Sequence, residues 1–373
     1  MKFLHSACLT RPSPGILKQM MEEKIASQDL MLDWDVIYFL PSGYNCKSPI
    51  IKESKYFSNR CFNNKFMKLF GWIGLKIEYY FWIWRVSEKY DAILTRYSVH
   101  DLFLLIFLVL RKNKVFTVHH TIEIYELQTD KSIIGHIRVF LEKIMGKISI
   151  TLNDGIVGVT KEIVDHEKLR AFKKNKKCYV YPNGILVKEG KIFDNKKNDN
   201  KVNILFVASE FVDWHGLDLL LEDIKKSTSD FNLHLIGNLV YKQDKLIADN
   251  DNRIILHGLQ NIDYIKKIAE NCDVALASFG LYRKGVKEGS TLKVREYFNY
   301  GLPVYSGHTD IFPKDFKFYY SGEAKINNIL NFSQEMSQYS KEYIRDEAIT
   351  YIDKKNILSN LHNHLSSISN ADQ

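Results

Sequence analysis

The sequence lacks any stretch long enough to span a membrane. Its longest apolar run, Leu102 to Leu110, is about half of the roughly 20 residues that a transmembrane helix needs, and two basic residues follow it. We therefore predict a buried helix there. The amino-terminal apolar segment is too short for a secretory signal, so we expect it to form a first buried strand.

The sequence is also poor in cysteine. The five cysteines are odd in number and scattered, with no Cys-x-x-Cys pair and no histidine at metal-ligand spacing. This pattern argues against a disulfide scaffold and against a zinc site. It is typical of a protein in the reducing cytoplasm. No internal repeat or low-complexity segment is evident.

The charge is unbalanced toward basic residues, with a formal net charge of +8. An attraction to nucleic acid, to anionic lipid or to a diphosphate ligand would each explain it. Between residues 55 and 89, basic residues alternate with aromatic ones, a pattern that suits an anionic membrane surface. The other interpretation is that the aromatic residues are core and the basic ones a solvated surface. The basic residues of this segment are Lys55, Arg60, Lys65, Lys68, Lys76, Arg85 and Lys89.

Short apolar runs alternate with helical patterns along the whole chain, which indicates an α/β protein with mostly parallel sheets. In the first half we predict strands at residues 36–40, 92–95, 115–118 and 156–159, and a first helix behind Pro14-Gly15. In the second half we predict strands at 204–208, 233–236, 254–256, 274–277 and 303–305. The residues at 188–201, rich in Lys, Asn and Asp, are predicted to form a loop near the domain junction.

These elements predict two Rossmann-like domains, residues 1–185 and 186–339, followed by a helical segment at 340–373. In such sheets ligands bind at the carboxyl ends of the strands. We therefore expect the functional site in a cleft where the two domains face each other.

The most informative motif lies at residues 288–296, where Glu288 and Glu296 bracket a small-residue turn that opens a helix. Unpaired N–H groups at Ser290, Thr291 and Leu292, together with the two hydroxyls, could hold a diphosphate. Glu288 would then face a sugar, and Glu296 would accept hydrogen bonds from ribose hydroxyls. Taken alone, the same pattern is more typical of a capped amphipathic helix with solvated glutamates.

Further motifs stand around this one. Tyr-Gly-Leu-Pro-Val follows it at 300–304, and Tyr-Pro-Asn-Gly at 181–184, Ile-Leu-Phe-Val-Ala-Ser at 204–209 and Trp-His-Gly-Leu-Asp at 214–218 precede it. In this order they resemble retaining family-4 glycosyltransferases of the two-domain GT-B fold, in particular those of bacterial surface polysaccharides. The resemblance extends from about residue 181 to 320 and is only topological before that.

The resemblance implies a transferase that moves a sugar, with retention, from a nucleotide-diphosphate sugar to a glycan acceptor. The acceptor would be lipid-linked, in capsule, O-antigen or exopolysaccharide synthesis, and the enzyme would work in the cytoplasm or on the inner face of the cytoplasmic membrane. The nucleotide sugar is then a substrate, and no cofactor or metal is expected. In this fold the carboxyl-terminal helices cross back onto the N-terminal domain.

The sequence departs from the family where a basic pair is usual. Ser209 and His215-Gly216 stand at those positions, so a cation must come from elsewhere, and His215 could donate one hydrogen bond. We predict that Lys293, in the first turn of the motif helix, binds the phosphates, with Arg283 as the second choice. Lys293 beside Arg295 could instead be a solvated surface. The base is expected near Gly258.

The resemblance also places a catalytic-site histidine at the end of the strand at 115–118, and His119 fits that position better than His120. Its neutral form could accept a bond from a sugar hydroxyl or orient the acceptor. The alternative is that both histidines cap Glu123 or Glu126.

The sequence is also compatible with two other functions. A nucleotide-sugar epimerase can share the two-domain fold and would change the donor without an acceptor. A basic protein that binds nucleic acid is suggested only by charge and aromatic content, and no recognition helix or single-strand-binding signature supports it.

Overall fold

The computed structural model describes residues 1–62, 65–172, 175–187 and 201–371. The predicted loop at 188–201 therefore lies almost entirely outside the described residues. The chain forms two compact units. The N-terminal unit comprises residues 1–182 and 354–373, and the C-terminal unit comprises residues 183–353.

The N-terminal unit contains a seven-stranded parallel sheet in the order β3-β2-β1-β4-β5-β6-β7. Its strands are β1 (Phe3–Cys8), β2 (Trp34–Ser42), β3 (Ile51–Ser58), β4 (Ala92–Arg96), β5 (Lys114–His119), β6 (Gly155–Gly158) and β7 (Lys177–Val180). Its helices are α1 (Pro14–Asp29), α2 (Lys65–Val86), α3 (Leu102–Leu110), α4 (Glu123–Gln128), α5 (Ile133–Leu152) and α6 (Lys161–Arg170), and α13 is described below.

The central strands form where the sequence predicted them, because near-continuous apolar runs suit a sheet that is covered on both faces. The first residue of β1, Phe3, lies between Trp34 of β2 and Ala92 of β4. The edge strands β3 and β7 were not predicted. β3 is largely polar, β7 has only four residues, and both are only partly buried, so neither shows a clear apolar pattern.

Helix α3 forms as predicted, but the prediction that it is buried is wrong for half of its surface. Leu104, Phe107 and Leu108 pack against the sheet, whereas the opposite side is exposed, with Val109 68% accessible. The Asp101 side chain caps the helix by accepting hydrogen bonds from the first N–H groups. An apolar run of this length therefore does not guarantee burial on all sides.

The basic and aromatic segment at residues 55–89 is divided between core and surface. Tyr79 and Tyr80 are buried, while Lys68 and Arg85 are exposed. Lys76 was predicted to lie on the surface, but it is only 3% exposed and forms an ion pair with Asp101, 2.8 Å between Nζ and Oδ2. The carboxylate compensates for the loss of hydration, so Lys76 is a structural residue.

The C-terminal unit contains a six-stranded parallel sheet in the order β10-β9-β8-β11-β12-β13. Its strands are β8 (Val202–Phe211), β9 (Phe231–Leu239), β10 (Ile254–Gly258), β11 (Val274–Leu276), β12 (Val304–Ser306) and β13 (Tyr319–Ser321). Its helices are α7 (Leu217–Ile224), α8 (Lys242–Asp249), α9 (Ile262–Ala269), α10 (Leu292–Asn299), α11 (Ile326–Met336) and α12 (Lys341–Ile352). The strand order reverses between β8 and β11, so the loops after these strands diverge and leave room for a ligand.

The carboxyl-terminal helices divide between the two units, unlike the predicted single segment at 340–373. Helix α12 packs on α10 and contributes Ile344 and Ala348 to the core of the C-terminal unit. Helix α13 (Lys354–Ala371) packs on α1 in the N-terminal unit, where Lys354 donates a hydrogen bond to Gln19. Within the described residues, no helix is both long and apolar enough to cross a membrane.

Candidate functional site

The motif helix α10 begins after a loop that ends at Thr291, which has an extended backbone and makes no side-chain cap. The loop before it follows β11 and runs beside the loop after β12. Gly289 N donates to the Thr309 carbonyl at 2.9 Å, and Thr309 N donates to the Lys287 carbonyl at 3.1 Å. This pairing fixes the half-buried Glu288 at the entrance to the helix.

Ser290 connects the motif to the start of the C-terminal unit. Its hydroxyl oxygen accepts a hydrogen bond from Asn183 N at 2.9 Å, and its carbonyl accepts one from Asn183 Nδ2 at 2.6 Å. The hydroxyl proton is still available as a donor. Ser290 is therefore a structural contact as well as a candidate ligand-binding residue.

Three buried polar atoms without hydrogen-bond partners lie around this helix end. Among the described residues, Thr291 Oγ1, Lys293 Nζ and His308 Nε2 are all buried and make no hydrogen bond. Such atoms are uncommon in native structures and cost free energy when they are buried without a partner. An added Cβ at Gly289 would lie 2.8 Å from His308 Nε2, so this imidazole packs directly against the motif loop.

Lys293 is the most unusual of the three. Burial lowers the pKa of Lys293 to about 7, and Glu296 opposes this effect only in part. The Lys293 Nζ lies 5.6 Å from the centre of the Phe206 ring. The interpretation of Lys293 and Arg295 as a solvated surface is therefore wrong. Lys293 is held in an apolar setting where an anion would be its natural partner.

His215 faces the same region from the turn Asp213–His215 that precedes α7. Its Nδ1 accepts a hydrogen bond from Val212 N at 3.1 Å. Burial, with Lys293 nearby, lowers the pKa of His215 to about 3. His215 is therefore neutral at physiological pH, and its proton is on Nε2, where it can be donated.

Gly216 allows this turn to lie close to the loop after β11. Its φ of 66° is in the left-handed region, and an added Cβ would lie 2.7 Å from Gly280 N. Phe279 N donates to the His215 carbonyl at 2.9 Å, which holds the two loops together. A side chain at position 216 would push them apart.

Arg283, the second predicted cation, is already paired. It donates to both carboxylate oxygens of Asp218, at 2.9 and 2.7 Å, and to the Asp213 carbonyl at 2.8 Å. The hydrogen bonds to the Asp218 carboxylate raise the pKa of Arg283. To bind a phosphate, Arg283 would have to leave Asp218, so Lys293 is the stronger candidate.

Arg295 of the motif helix forms a buried ion pair with Asp310 in the loop after β12, and neither was predicted as a site residue. Both side chains are fully buried, with Arg295 Nη2 2.7 Å from Asp310 Oδ1. Arg295 also donates to the carbonyls of Asn183 and Thr291. The pair thus supports the start of α10, and the spacing from Arg295 to Asp310 offered no local signal of it.

His308 was also missed, because it belongs to no familiar motif. Its Nδ1 donates to the Ser278 carbonyl at 2.9 Å, which leaves Nε2 unprotonated in the neutral ring. Burial lowers the pKa of His308, so the neutral form is favoured. The imidazole therefore presents an acceptor beside Gly289.

The other predicted donor-site residues, Glu296 and Gly258, lie on α10 and at the end of β10. Glu296 is half-buried, about one turn beyond Lys293 on α10. Gly258 ends β10 with φ of 66°, and no heavy atom lies within 4 Å of an added Cβ there. The adjacent His257 is held by Tyr264, with 2.9 Å between Nδ1 and the hydroxyl oxygen.

His119 lies at the end of β5 in the N-terminal unit and is fully buried. Its Nδ1 is 3.1 Å from Glu123 Oε2, and its Nε2 is 3.0 Å from Thr117 Oγ1. Burial works against the charged form, but the Glu123 carboxylate outweighs it and raises the pKa of His119. The ring also stacks on Tyr97, with 4.4 Å between centroids.

The pKa of the neighbouring His120 shifts in the opposite direction to that of His119. It is only half-buried, and burial together with the charge of Arg96 holds its pKa well below the usual range. His120 is therefore neutral at physiological pH, in a residue that as a whole is partly exposed. Ligand atoms of His119, Glu123 and Glu167 lie within 4.8 Å of one another, but Glu167 already pairs with Arg170 at 2.7 Å.

Comparisons with known proteins support the fold. No family model matches the chain, and a search of curated proteins also finds no match. Solved structures do match over almost the whole chain. A lipopolysaccharide outer core galactosyltransferase, WaaB, is 14% identical with a TM-score of 0.67, covering 98% of this chain and 99% of that chain.

Two further structures show the same similarity. A glycosyltransferase from Rickettsia africae is 14% identical with a TM-score of 0.63, covering 99% of both chains. Anabaena HepE in complex with UDP is 13% identical with a TM-score of 0.63, covering 98% of this chain and 100% of that chain. The chain therefore has the GT-B fold, and the predicted fold class is confirmed.

Proposed function

We propose that this protein is a glycosyltransferase that moves a sugar from a nucleotide-diphosphate sugar to a glycan acceptor, with retention at the anomeric carbon. The observation that carries the proposal is the buried amine of Lys293, which has no hydrogen-bond partner at the start of α10. A diphosphate would supply the missing partner. The GT-B fold, shared with a structure that binds UDP, supports the same conclusion.

The diphosphate would be held by groups of three kinds. The N–H groups at the start of α10 carry the positive end of the helix dipole. Lys293 supplies a cation, and an anion beside its amine would raise its lowered pKa. His215 Nε2 and the hydroxyls of Ser290 and Thr291 supply further donors.

The transferred sugar would lie against the loop that joins β11 to α10. Glu288 and His308 both present acceptors there, Glu288 through its carboxylate and His308 through the unprotonated Nε2. Sugar hydroxyls are donors that could bind to both acceptors, and one of them would give His308 Nε2 the partner it lacks. Glu296 would accept from the ribose hydroxyls, and the open space at Gly258 would admit the base.

In the proposed reaction the bond from the anomeric carbon to the diphosphate oxygen breaks, and a bond to the acceptor oxygen forms on the same face. The acceptor proton passes to the departing phosphate, so no protein nucleophile is needed. The helix end and Lys293 stabilise the negative charge that develops on the leaving group. With these charges in place, we propose that the reaction needs no divalent metal.

On the acceptor side, we propose that His119 acts by orienting Glu123 and the end of β5. Its neighbour His120 presents a neutral imidazole that can accept a bond from a sugar hydroxyl. We propose a lipid-linked acceptor in bacterial capsule, O-antigen or exopolysaccharide synthesis, at the inner face of the cytoplasmic membrane. The similarity to a lipopolysaccharide galactosyltransferase supports this choice.

The proposal is tested by a thermal-shift screen against UDP, GDP, CDP and dTDP and their sugars. We expect one nucleoside diphosphate to raise the melting temperature. At a concentration of 100 times its Kd, binding should add about 2.7 kcal/mol to the free energy of unfolding. UDP is the first choice, because HepE was solved with it. A Lys293→Met variant is the control and should show a clearly smaller shift at the same ligand concentration.

A second assay separates the possible activities. Release of nucleoside diphosphate that depends on an added glycan acceptor supports transfer. Conversion of the donor sugar without an acceptor would instead identify an epimerase. Failure of all four nucleotides to bind the wild-type protein, while the protein binds DNA at physiological salt, would overturn the proposal.

A further inference from the structure

One side of the N-terminal unit exposes large apolar residues on three helices. They lie on the outward surfaces of α2, α3 and α5, and we call this surface the apolar face. Phe140 of α5 is 61% accessible and Ile133 is 81% accessible. Its most exposed members are Leu69, Phe70, Ile77, Phe81, Leu102, Ile106, Val109, Leu110, Ile133, Ile134, Ile137, Phe140 and Ile144.

The apolar face is continuous, because α3 packs against both α2 and α5. Between α2 and α3 lies an open groove of about 430 Å³. Its walls are almost entirely apolar and include Ile77, Phe81, Trp84, Phe103, Ile106 and Leu110. On an ordinary protein surface, exposed apolar residues are scattered singly. Contiguous apolar surface of this kind therefore marks a site for another molecule.

The charges on these helices indicate which molecule covers the face. The exposed charged side chains that the structure describes on α2, α3 and α5 are all basic: Lys68, Arg85 and Lys143. The two acidic residues of these helices are engaged elsewhere. Glu142 is buried and pairs with Arg170, and Glu78 accepts hydrogen bonds from Ser54 and from Lys55 N.

Aromatic and cationic groups also occur together at the edge of the face. The Arg85 guanidinium lies 5.8 Å from the centre of the Phe81 ring, and Lys112 Nζ lies 4.7 Å from that of Trp84. At a membrane interface, aromatic rings lie at the level of the headgroups, and long basic side chains reach the phosphates. Contact with water alone would not account for this pairing of aromatic and cationic side chains.

We propose that the apolar face binds the surface of a lipid bilayer that contains anionic lipids, with a hydrocarbon chain in the groove between α2 and α3. The apolar side chains would enter the acyl boundary, and the lysines and arginines would contact lipid phosphates. A second copy of the chain fits less well, because facing copies would bring like charges together. This inference rests on the proposed function only in that it brings the enzyme to a lipid-linked acceptor.

The test is co-sedimentation of the full chain with vesicles of phosphatidylcholine, with and without phosphatidylglycerol. We expect binding to the anionic vesicles that is released by salt. The double variant Val109→Asp and Phe140→Asp should weaken binding by roughly tenfold or more, since both side chains would lose burial in the lipid. Leu246→Asp, at a residue 65% accessible on α8 of the other unit, is the matched control and should bind like the wild type.

A second pair of variants tests the charges separately. Lys68→Glu with Lys143→Glu should reduce binding to anionic vesicles, and circular dichroism with thermal melting should show that the fold is intact. Wild-type protein that stays in solution with anionic vesicles at low salt would overturn the inference. So would unchanged binding by the aspartate variant, or a dimer in solution that this variant converts to monomer.

Nucleotide binding measured on the same samples separates the two proposals. A nucleotide shift without vesicle binding overturns membrane docking and leaves the proposed transfer from a nucleotide sugar standing. Vesicle binding without any nucleotide shift supports docking and counts against the glycosyltransferase.

Discussion

The two units depart from the usual distribution of polar and apolar groups in opposite ways. In the C-terminal unit, polar atoms of Thr291, Lys293 and His308 are buried without partners. In the N-terminal unit, apolar residues such as Val109 and Phe140 are exposed to water. Each departure costs free energy in the isolated protein, and each would be relieved by a ligand of matching chemistry.

The two units also differ in whether a buried lysine has a partner of opposite charge. Lys76 and Lys293 are both lysines in apolar surroundings, but Lys76 has Asp101 as a partner and Lys293 has none. Accordingly the pKa of Lys293 falls to about 7 through burial, whereas Asp101 outweighs burial and raises the pKa of Lys76. Of the two lysines, only Lys293 has an amine that is available to bind an anionic ligand.

The largest effect should come from breaking the buried pair that supports the motif helix. Arg295→Ala leaves the Asp310 carboxylate buried without its cation, and we expect a loss of about 3–5 kcal/mol in the free energy of unfolding. Denaturant unfolding measures it. Arg283→Ala breaks a partly exposed pair with Asp218 and should cost less than about 1 kcal/mol. Equal losses in the two variants would contradict the structural role of Arg295.

Glu288→Gln should lower turnover by about 10²-fold or more, because it removes a charge beside the transferred sugar. Nucleoside diphosphate binding should change little, since the helix end and Lys293 are untouched. Acceptor-dependent diphosphate release and thermal shift measure the two quantities. Normal turnover in this variant would remove Glu288 from the site.

Lys293→Met should change stability and binding in opposite directions. The free protein loses an unpartnered buried amine and should melt at a higher temperature at neutral pH. The diphosphate loses a charged partner and should bind roughly 10- to 100-fold more weakly, while nucleoside binding is unchanged. Calorimetry with diphosphate and nucleoside measures both affinities. Lower stability together with equal loss for both ligands would mean that the helix itself was damaged.

Diphosphate binding should weaken as the pH rises. If Lys293 loses its proton near pH 7 in the free protein and keeps it in the complex, affinity should fall about fivefold between pH 7 and pH 8. The free energy of unfolding of the ligand-free protein should instead increase as the pH rises. The unfolded lysine holds its proton up to about pH 10.5, so between pH 7 and 10.5 the unfolded state binds more protons and rising pH favours folding.

The difference between wild type and Lys293→Met isolates both trends from the other titrating groups. Affinity that follows the same pH profile in both proteins would show that Lys293 does not take part.

The smallest effect should come from the apolar face. Phe140→Ser alters an exposed side chain and should change the free energy of unfolding by less than about 0.5 kcal/mol. Phe116→Ala, at a fully buried residue of the same unit, should cost about 3–5 kcal/mol. A large loss for Phe140→Ser would show that the face packs against part of this chain.

Local patterns predicted much of the architecture. Apolar runs at 115–118 and 204–208 form central strands, because a strand buried on both faces has to be apolar along its whole length. The edge strand β3 could not be recognised in this way, since one of its sides meets solvent. The motif at 288–296 does open a helix, and Lys293 lies in its first turn as predicted.

What the sequence alone determined is the alternation of strands and helices, the parallel sheets and the position of the motif helix, because these depend on apolar periodicity and on local turn residues. Tertiary structure decided which charges are paired. It joined Lys76 to Asp101, Arg283 to Asp218 and Arg295 to Asp310, and left Lys293 alone. Such pairings connect residues distant in sequence, so their energies depend on distances and burial that only the folded chain sets.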